Sequence, residues 1–183
     1  ALPVLDFSMC FALASDVPDQ VSDLHHFAAM VRNTPKPLIV TAWELAGLRS
    51  IQRMMEMVAG DKTTLRKRPF VVVFLMAISP LRFPKESLQK LRFCAENGIP
   101  CIWTSGCPTA GATAPIFPAG SLVVALAEFL AGLVVAQLTR PGAPVIVGSA
   151  FGALDMATGS RPYAAPERMD GSELDSVTFV PRL

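Results

Sequence analysis

Trp43 and Glu44 stand side by side just beyond the apolar run Leu38-Ile39-Val40, so an indole and a carboxylate share one strand-end loop. An aromatic and a carboxylate on a loop at a strand's C-terminal end make this pair the leading local candidate for a binding site. The competing reading packs Trp43 on the following helix and makes Glu44 an acid at a helix N-terminus, favoured there by the dipole. Trp103, at the end of another apolar run, carries the same two readings. Asp155, beyond the last apolar run, reads as a binding carboxylate or as a turn or cap residue. No spacing singles out a catalytic nucleophile or proton donor.

Several other chemistries are disfavoured. His25 and His26 are adjacent on an amphipathic stretch, and adjacent helical positions do not face one way, so the two cannot chelate a metal together. Cys10, Cys94, Cys101 and Cys107 show neither CxxC nor His-paired spacing, which argues against a zinc centre or a disulfide scaffold and fits free thiols in a reducing cytoplasm. No Lys lies at a strand end, which disfavours Schiff-base chemistry. Sixteen Lys plus Arg against fifteen Asp plus Glu leave a formal net charge of +1, without the electrostatic footprint of a nucleic-acid or anionic-membrane binder. With 51% hydrophobic and 17% charged residues in 183, the chain can bury a core and is not intrinsically disordered.

The elements that must position these residues alternate. Residues 4–13 read as a strand, with Pro18 in the first turn of a helix bearing Val21, Leu24, Phe27 and Val31 on one face. Residues 38–40 form a short strand. Leu48, Ile51, Met55 and Val58 then repeat at helical spacing up to Gly60, and a Lys- and Arg-rich loop follows. Residues 70–76 are apolar without alternation, as in a strand covered on both faces. Pro84 opens a helix that Gly98 closes, and residues 99–103 make the next strand. Residues 119–138 form a long apolar helix with Glu128 near its middle; the last strand covers 144–147. A bilayer span of 119–138 is disfavoured, because a central carboxylate costs about 2.5–3.5 kcal/mol on insertion. No signal-peptide pattern opens the chain. Glu128, in so apolar a helix, must reach the rim or find a partner.

Five strand candidates separated by four helical segments indicate βαβ repetition and a parallel sheet, an α/β fold. No GxGxxG follows the first strand and the strand-end loops are long and varied, which favours (β/α)8 TIM-barrel units over a doubly wound sheet. A complete barrel takes about 250 residues, so the chain is expected to hold a partial barrel of about five βα units. Its sheet edges and apolar face would need covering, which makes a homo-oligomer the expected state of the isolated chain.

From about Asp16 to Glu167 the sequence resembles the trimethylamine methyltransferase family, whose members demethylate methylated amines and betaines. The resemblance rests on Ser79-Pro80-Leu81, Gly111-Ala112-Thr113-Ala114-Pro115, Ala119-Gly120, Ala127-Glu128, Leu130-Ala131-Gly132-Leu133 and Pro141-Gly142-Ala143-Pro144-Val145, followed by Asp155-Met156, Gly159 and Pro166-Glu167. Ile116-Phe117-Pro118 replaces the smaller, Thr-containing sequence usual in the family. The resemblance implies a TIM barrel of which residues 1–167 are a middle portion, with 168–183 a divergent C-terminal tail. It also implies transfer of a methyl group from a small methylated ammonium substrate to a cobalamin (corrinoid) carried on a partner protein, with no permanently bound cofactor. Trp43, Glu44, Trp103 and Asp155 would then bind substrate from the loops above the barrel. The alternative is a truncated, non-catalytic barrel acting as a binding or assembly module.

Overall fold

A computed structural model describes residues 4–10, 12, 14–148 and 151–162. The Pro166-Glu167 motif and the tail 168–183 lie outside the described residues. The elements begin with β1 (Ser8–Met9), α1 (Asp19–Asn33), β2 (Leu38–Val40), α2 (Leu45–Ala59), α3 (Lys62–Lys67) and β3 (Val71–Met76). They continue with α4 (Lys85–Asn97), β4 (Cys101–Thr104), β5 (Thr109–Ala110), α5 (Pro118–Thr139), β6 (Val145–Gly148) and β7 (Gly152–Ala153).

The helix ends follow local chemistry. Pro18 and Pro84 precede α1 and α4, where a missing N–H costs no helical bond. Gly60 (φ 92°) and Gly98 (φ 68°) take the positive φ that ends α2 and α4. The basic stretch expected to be loop contains α3. Asp61 caps it, its Oδ1 accepting from the Thr63 and Thr64 backbone N–H groups at 2.6 and 2.8 Å and its Oδ2 from Thr64 Oγ1 at 2.8 Å. Six residues are too few to show a helical period, so the cap was the readable signal there.

Five strands pair in parallel in the order β1-β2-β3-β4-β6, the order of the chain. Val73, Cys101 and Val145 stand abreast across β3, β4 and β6. One parity of strand residues, including Leu38, Val40, Val71, Val73, Leu75, Cys101, Trp103, Val145 and Val147, is buried in a single cluster with Phe27, Leu48, Ile51, Leu91 and Phe129 from the helices. The other parity, Ile39, Val72, Phe74, Ile102 and Ile146, is apolar but only half-buried. The unalternating sequence of β3 thus reflects two apolar faces, of which only the helix-side face belongs to the buried cluster. A sequential parallel sheet whose strands share one core with the helix layer, and whose other face is apolar and open, matches an arc of a barrel wall. β5 and β7 pair with each other above β4 and β6.

α5 is the one helix among the described residues long and apolar enough to cross a membrane, with a mean hydropathy of 2.2. It packs on α4, β4 and β6 as part of the wall.

Candidate substrate site

The loops beyond the C-terminal ends of the strands form one face, and β2 delivers Trp43 and Glu44 to it. Two attachments fix this loop. Lys90, buried on α4, donates from Nζ to the carbonyls of Ala42 (2.7 Å) and Trp43 (3.1 Å). The Trp43 indole N–H donates to Ser22 Oγ at 3.1 Å, and that hydroxyl donates to the Asp19 carbonyl at 3.0 Å. The indole is therefore oriented while the side chain stays 60% exposed. Glu44 precedes α2 and its side chain makes no capping bond, so its carboxylate stays exposed on this face.

These groups border a pocket of about 620 Å³ whose lining includes Asp19, Ser22, Asp23, Trp43, Glu44 and Gly47. Its size falls in the usual range for small-molecule sites. Asp23 is the unusual member. It is only 4% exposed, its Oδ1 accepts from the Leu24 N–H at 2.9 Å, and no described residue donates to Oδ2. Oδ2 lies against Gly47, where any Cβ would collide with it, so glycine is what lets this carboxylate sit at the pocket wall. Burial pushes the Lys90 ammonium below the usual lysine range, and Glu86 first, then Cys94 and Asp23, oppose that shift. Among the described residues no three His, Cys, Asp or Glu side chains converge as they would around a metal ion. The site is an aromatic surface with carboxylates spread around a cavity, an arrangement for an organic cation.

The other two candidates lie elsewhere. Trp103 is fully buried within β4 on the helix side of the sheet, donating from its indole to the Glu128 carbonyl at 3.1 Å. Gly132 of α5 packs so closely on its ring that a Cβ would overlap it. Trp103 is thus a core residue between β4 and α5 instead of a loop-face residue. Asp155 closes a turn, Oδ1 accepting from the Ala157 N–H at 2.9 Å and Oδ2 from Thr158 Oγ1 at 2.7 Å. Those bonds, Thr158 foremost, hold its carboxyl below the usual carboxylate range. It follows β7, above β4 and β6, and β2 is three strand spacings from β6, about 14 Å away. The structure joins Trp43 to Glu44 and adds Asp19 and Asp23, but brings neither Trp103 nor Asp155 to them.

The sequence pattern places Lys90, with Lys85, Gln89 and Arg92, on the water-facing side of its helix, whereas the structure buries it on two loop carbonyls, and nothing in the pattern singles out Asp23. The pattern singles out Glu128 without its partners. That side chain is fully buried, Oε2 accepting from Ser79 Oγ (2.9 Å) and Gly106 N–H (2.8 Å), and Oε1 from Leu81 N–H (2.9 Å). It staples the loops after β3 and β4.

The model of the trimethylamine methyltransferase family matches residues 2–175. The chain belongs to the trimethylamine methyltransferase family. The match runs past Glu167, where the motif resemblance ends. The chain is 32% identical over 152 residues to a glycine betaine methyltransferase of Desulfitobacterium hafniense, covering 83% of this chain and 32% of that protein. It is 31% identical over 152 residues to a trimethylamine methyltransferase of another strain of that organism, covering 83% of this chain and 30% of the relative. A trimethylamine methyltransferase of Methanosarcina barkeri is 37% identical over 108 residues, 59% of this chain and 22% of its own length. The chain therefore spans between about a fifth and a third of these relatives. The Ser79-Pro80-Leu81 and Ala127-Glu128 stretches, on which the resemblance rests, meet in the Glu128 staple, and Gly132 of Leu130-Ala131-Gly132-Leu133 is the close contact of Trp103.

Proposed function

We propose that the chain is an arc of a (β/α)8 barrel from a methyltransferase that moves a methyl group from a methylated amine or betaine to a corrinoid on a partner protein. The observation that carries this reading is the pocket of Trp43, Asp19, Asp23 and Glu44 on the loop face of a chain of this family. A partner-borne Co(I) corrinoid supplies the nucleophile. The chain's residues do the rest: the Trp43 ring and the carboxylates hold the ammonium, and the pocket walls orient one methyl outward. Such positioning and exclusion of water are what an in-line displacement asks of a protein. Asp155 would then shape the β6 side of the loop face through its turn without touching a substrate in this pocket, whereas Trp103 would support the loops from the core.

Four free cysteines support a reducing, cytoplasmic setting. The open sheet face, together with the exposed Val123, Leu130, Val134 and Leu138 along α5, supports self-association. Light scattering tests that, a monodisperse monomer counting against it. The function is tested by anaerobic incubation with Co(I) cobalamin and a panel of methylated amines and betaines, following conversion to methyl-Co(III) by absorbance. Substrate-dependent conversion that disappears in Trp43→Ala is the expected result. A folded chain that converts none of them would instead favour a non-catalytic binding or assembly module.

A further inference from the structure

We infer that the Trp43 pocket selects a methylated ammonium cation without a carboxylate over a zwitterionic betaine. The inference rests on the reading that this pocket holds the methyl donor. Relatives named for glycine betaine and for trimethylamine match the same length of this chain at 32% and 31% identity, so similarity does not separate the two substrate classes. The charges around the pocket do.

Among the described residues three of the lining are carboxylates, Asp19, Asp23 and Glu44, and none is Lys, Arg or His. Lys90, the cation that holds this loop, lies outside the lining, buried and directed at the Ala42 and Trp43 carbonyls, so it is not presented to a ligand carboxylate. The N-termini of α1 and α2 open beside the pocket without side-chain caps, and these would attract an anion. Each contributes about half a positive charge, so the pair offsets about one of three negative charges. The Lys90 ammonium behind the loop offsets about one more, so a net negative field of about one charge remains. It attracts the ammonium shared by both classes and repels the carboxylate that only the betaine carries. Asp23 sharpens the difference, because Oδ2 is buried and has no hydrogen-bond donor among the described residues: a ligand ammonium adds attraction to that of Lys90 behind the loop, whereas a second carboxylate beside it is unfavourable.

The test is a titration of the chain with tetramethylammonium, trimethylammonium and glycine betaine, read by the change in fluorescence that Trp43→Phe abolishes. Both carboxylate-free cations are expected to bind at least about tenfold more tightly than glycine betaine. Asp23→Asn, and the surface variant Glu44→Gln, should each narrow that ratio. Glycine betaine binding as tightly as the cations, or a ratio unchanged in both variants, overturns the selectivity while leaving the pocket as an ammonium site. Absence of any signal with all three ligands overturns the site itself, and the selectivity with it.

Discussion

Removing the Glu128 carboxylate should cost the fold more than its single position suggests. Its two oxygens accept from Leu81 N–H, Gly106 N–H and Ser79 Oγ, all between 2.8 and 2.9 Å, in a fully buried setting. A hydroxyl can turn to another acceptor, but the two backbone N–H groups cannot. In Glu128→Ala both lose their acceptor, and at about 1–3 kcal/mol for each unsatisfied buried donor the cost is about 2–6 kcal/mol before any cavity term. In Glu128→Gln the amide oxygen can replace either carboxylate oxygen, yet the NH2 then faces the remaining backbone N–H, leaving one conflict and about 1–3 kcal/mol. Against a domain stability of about 5–15 kcal/mol, the alanine variant is near the limit of folding. Urea unfolding followed by circular dichroism should give midpoints in the order wild type, Gln, Ala. With an m-value of about 2 kcal/mol/M, the alanine midpoint falls by about 1–3 M. An alanine variant within about 0.5 kcal/mol of wild type would refute the reasoning, since water would then be satisfying both amides.

Gly132→Ala places a methyl group into the Trp103 indole and should destabilise by about 1–3 kcal/mol in the same assay, with loss of the buried tryptophan signal; wild-type stability would mean that α5 can shift away from β4. A hydrogen bond with Cys101, followed by burial, pushes the Cys94 thiol well above the usual thiol range, so a thiol reagent should label Cys10 and Cys107 first and reach Cys94 and Cys101 only on unfolding; four equally fast thiols would contradict this packing. Asp61 is held below its ordinary value of 3.8, chiefly by the Thr64 N–H. A lowered carboxyl contributes stability that is fully present above that value and is lost as pH falls through the lowered one, so Asp61→Asn should flatten the acid limb of a stability profile below about pH 4, and an unchanged slope would count against the cap.

Elements whose signals are local were legible in the sequence. The apolar periods, with Gly60 and Gly98 at their ends, gave α2 and α4, and the unbroken apolar run gave β3. The face of Trp103 was not legible, because both faces of the sheet are apolar. Period-two reasoning fixes which side a residue takes only when one side is polar. Here the parity shared by Cys101, Trp103, Val145 and Val147 becomes visible only once the register across β4 and β6 is known. Trp43 and Glu44 were legible because a strand end followed by a helix start limits where they can go. Their neighbours Asp23 and Lys90 were not, since a buried charge is recognisable only from partners distant in the chain.

Lys90 and Glu128 share a geometry that bears on how the loop face holds its shape. Each belongs to the helix layer, is buried, and reaches the loops beyond the strands: the ammonium grips two carbonyls of the loop after β2, and the carboxylate grips two amides in the loops after β3 and β4. The sign of each charge matches the backbone group it holds, which is what makes burial of either tolerable. The loops are thereby tied to α4 and α5 as well as to their strands. Attachment to the helix layer does not depend on closure of the sheet, so the geometry around Trp43 is set by contacts lying wholly within this arc. Lys90→Met, which keeps the apolar stem and removes the donors, should therefore loosen Trp43 and weaken ammonium binding while leaving the sheet intact. Lys90→Arg should restore part of both.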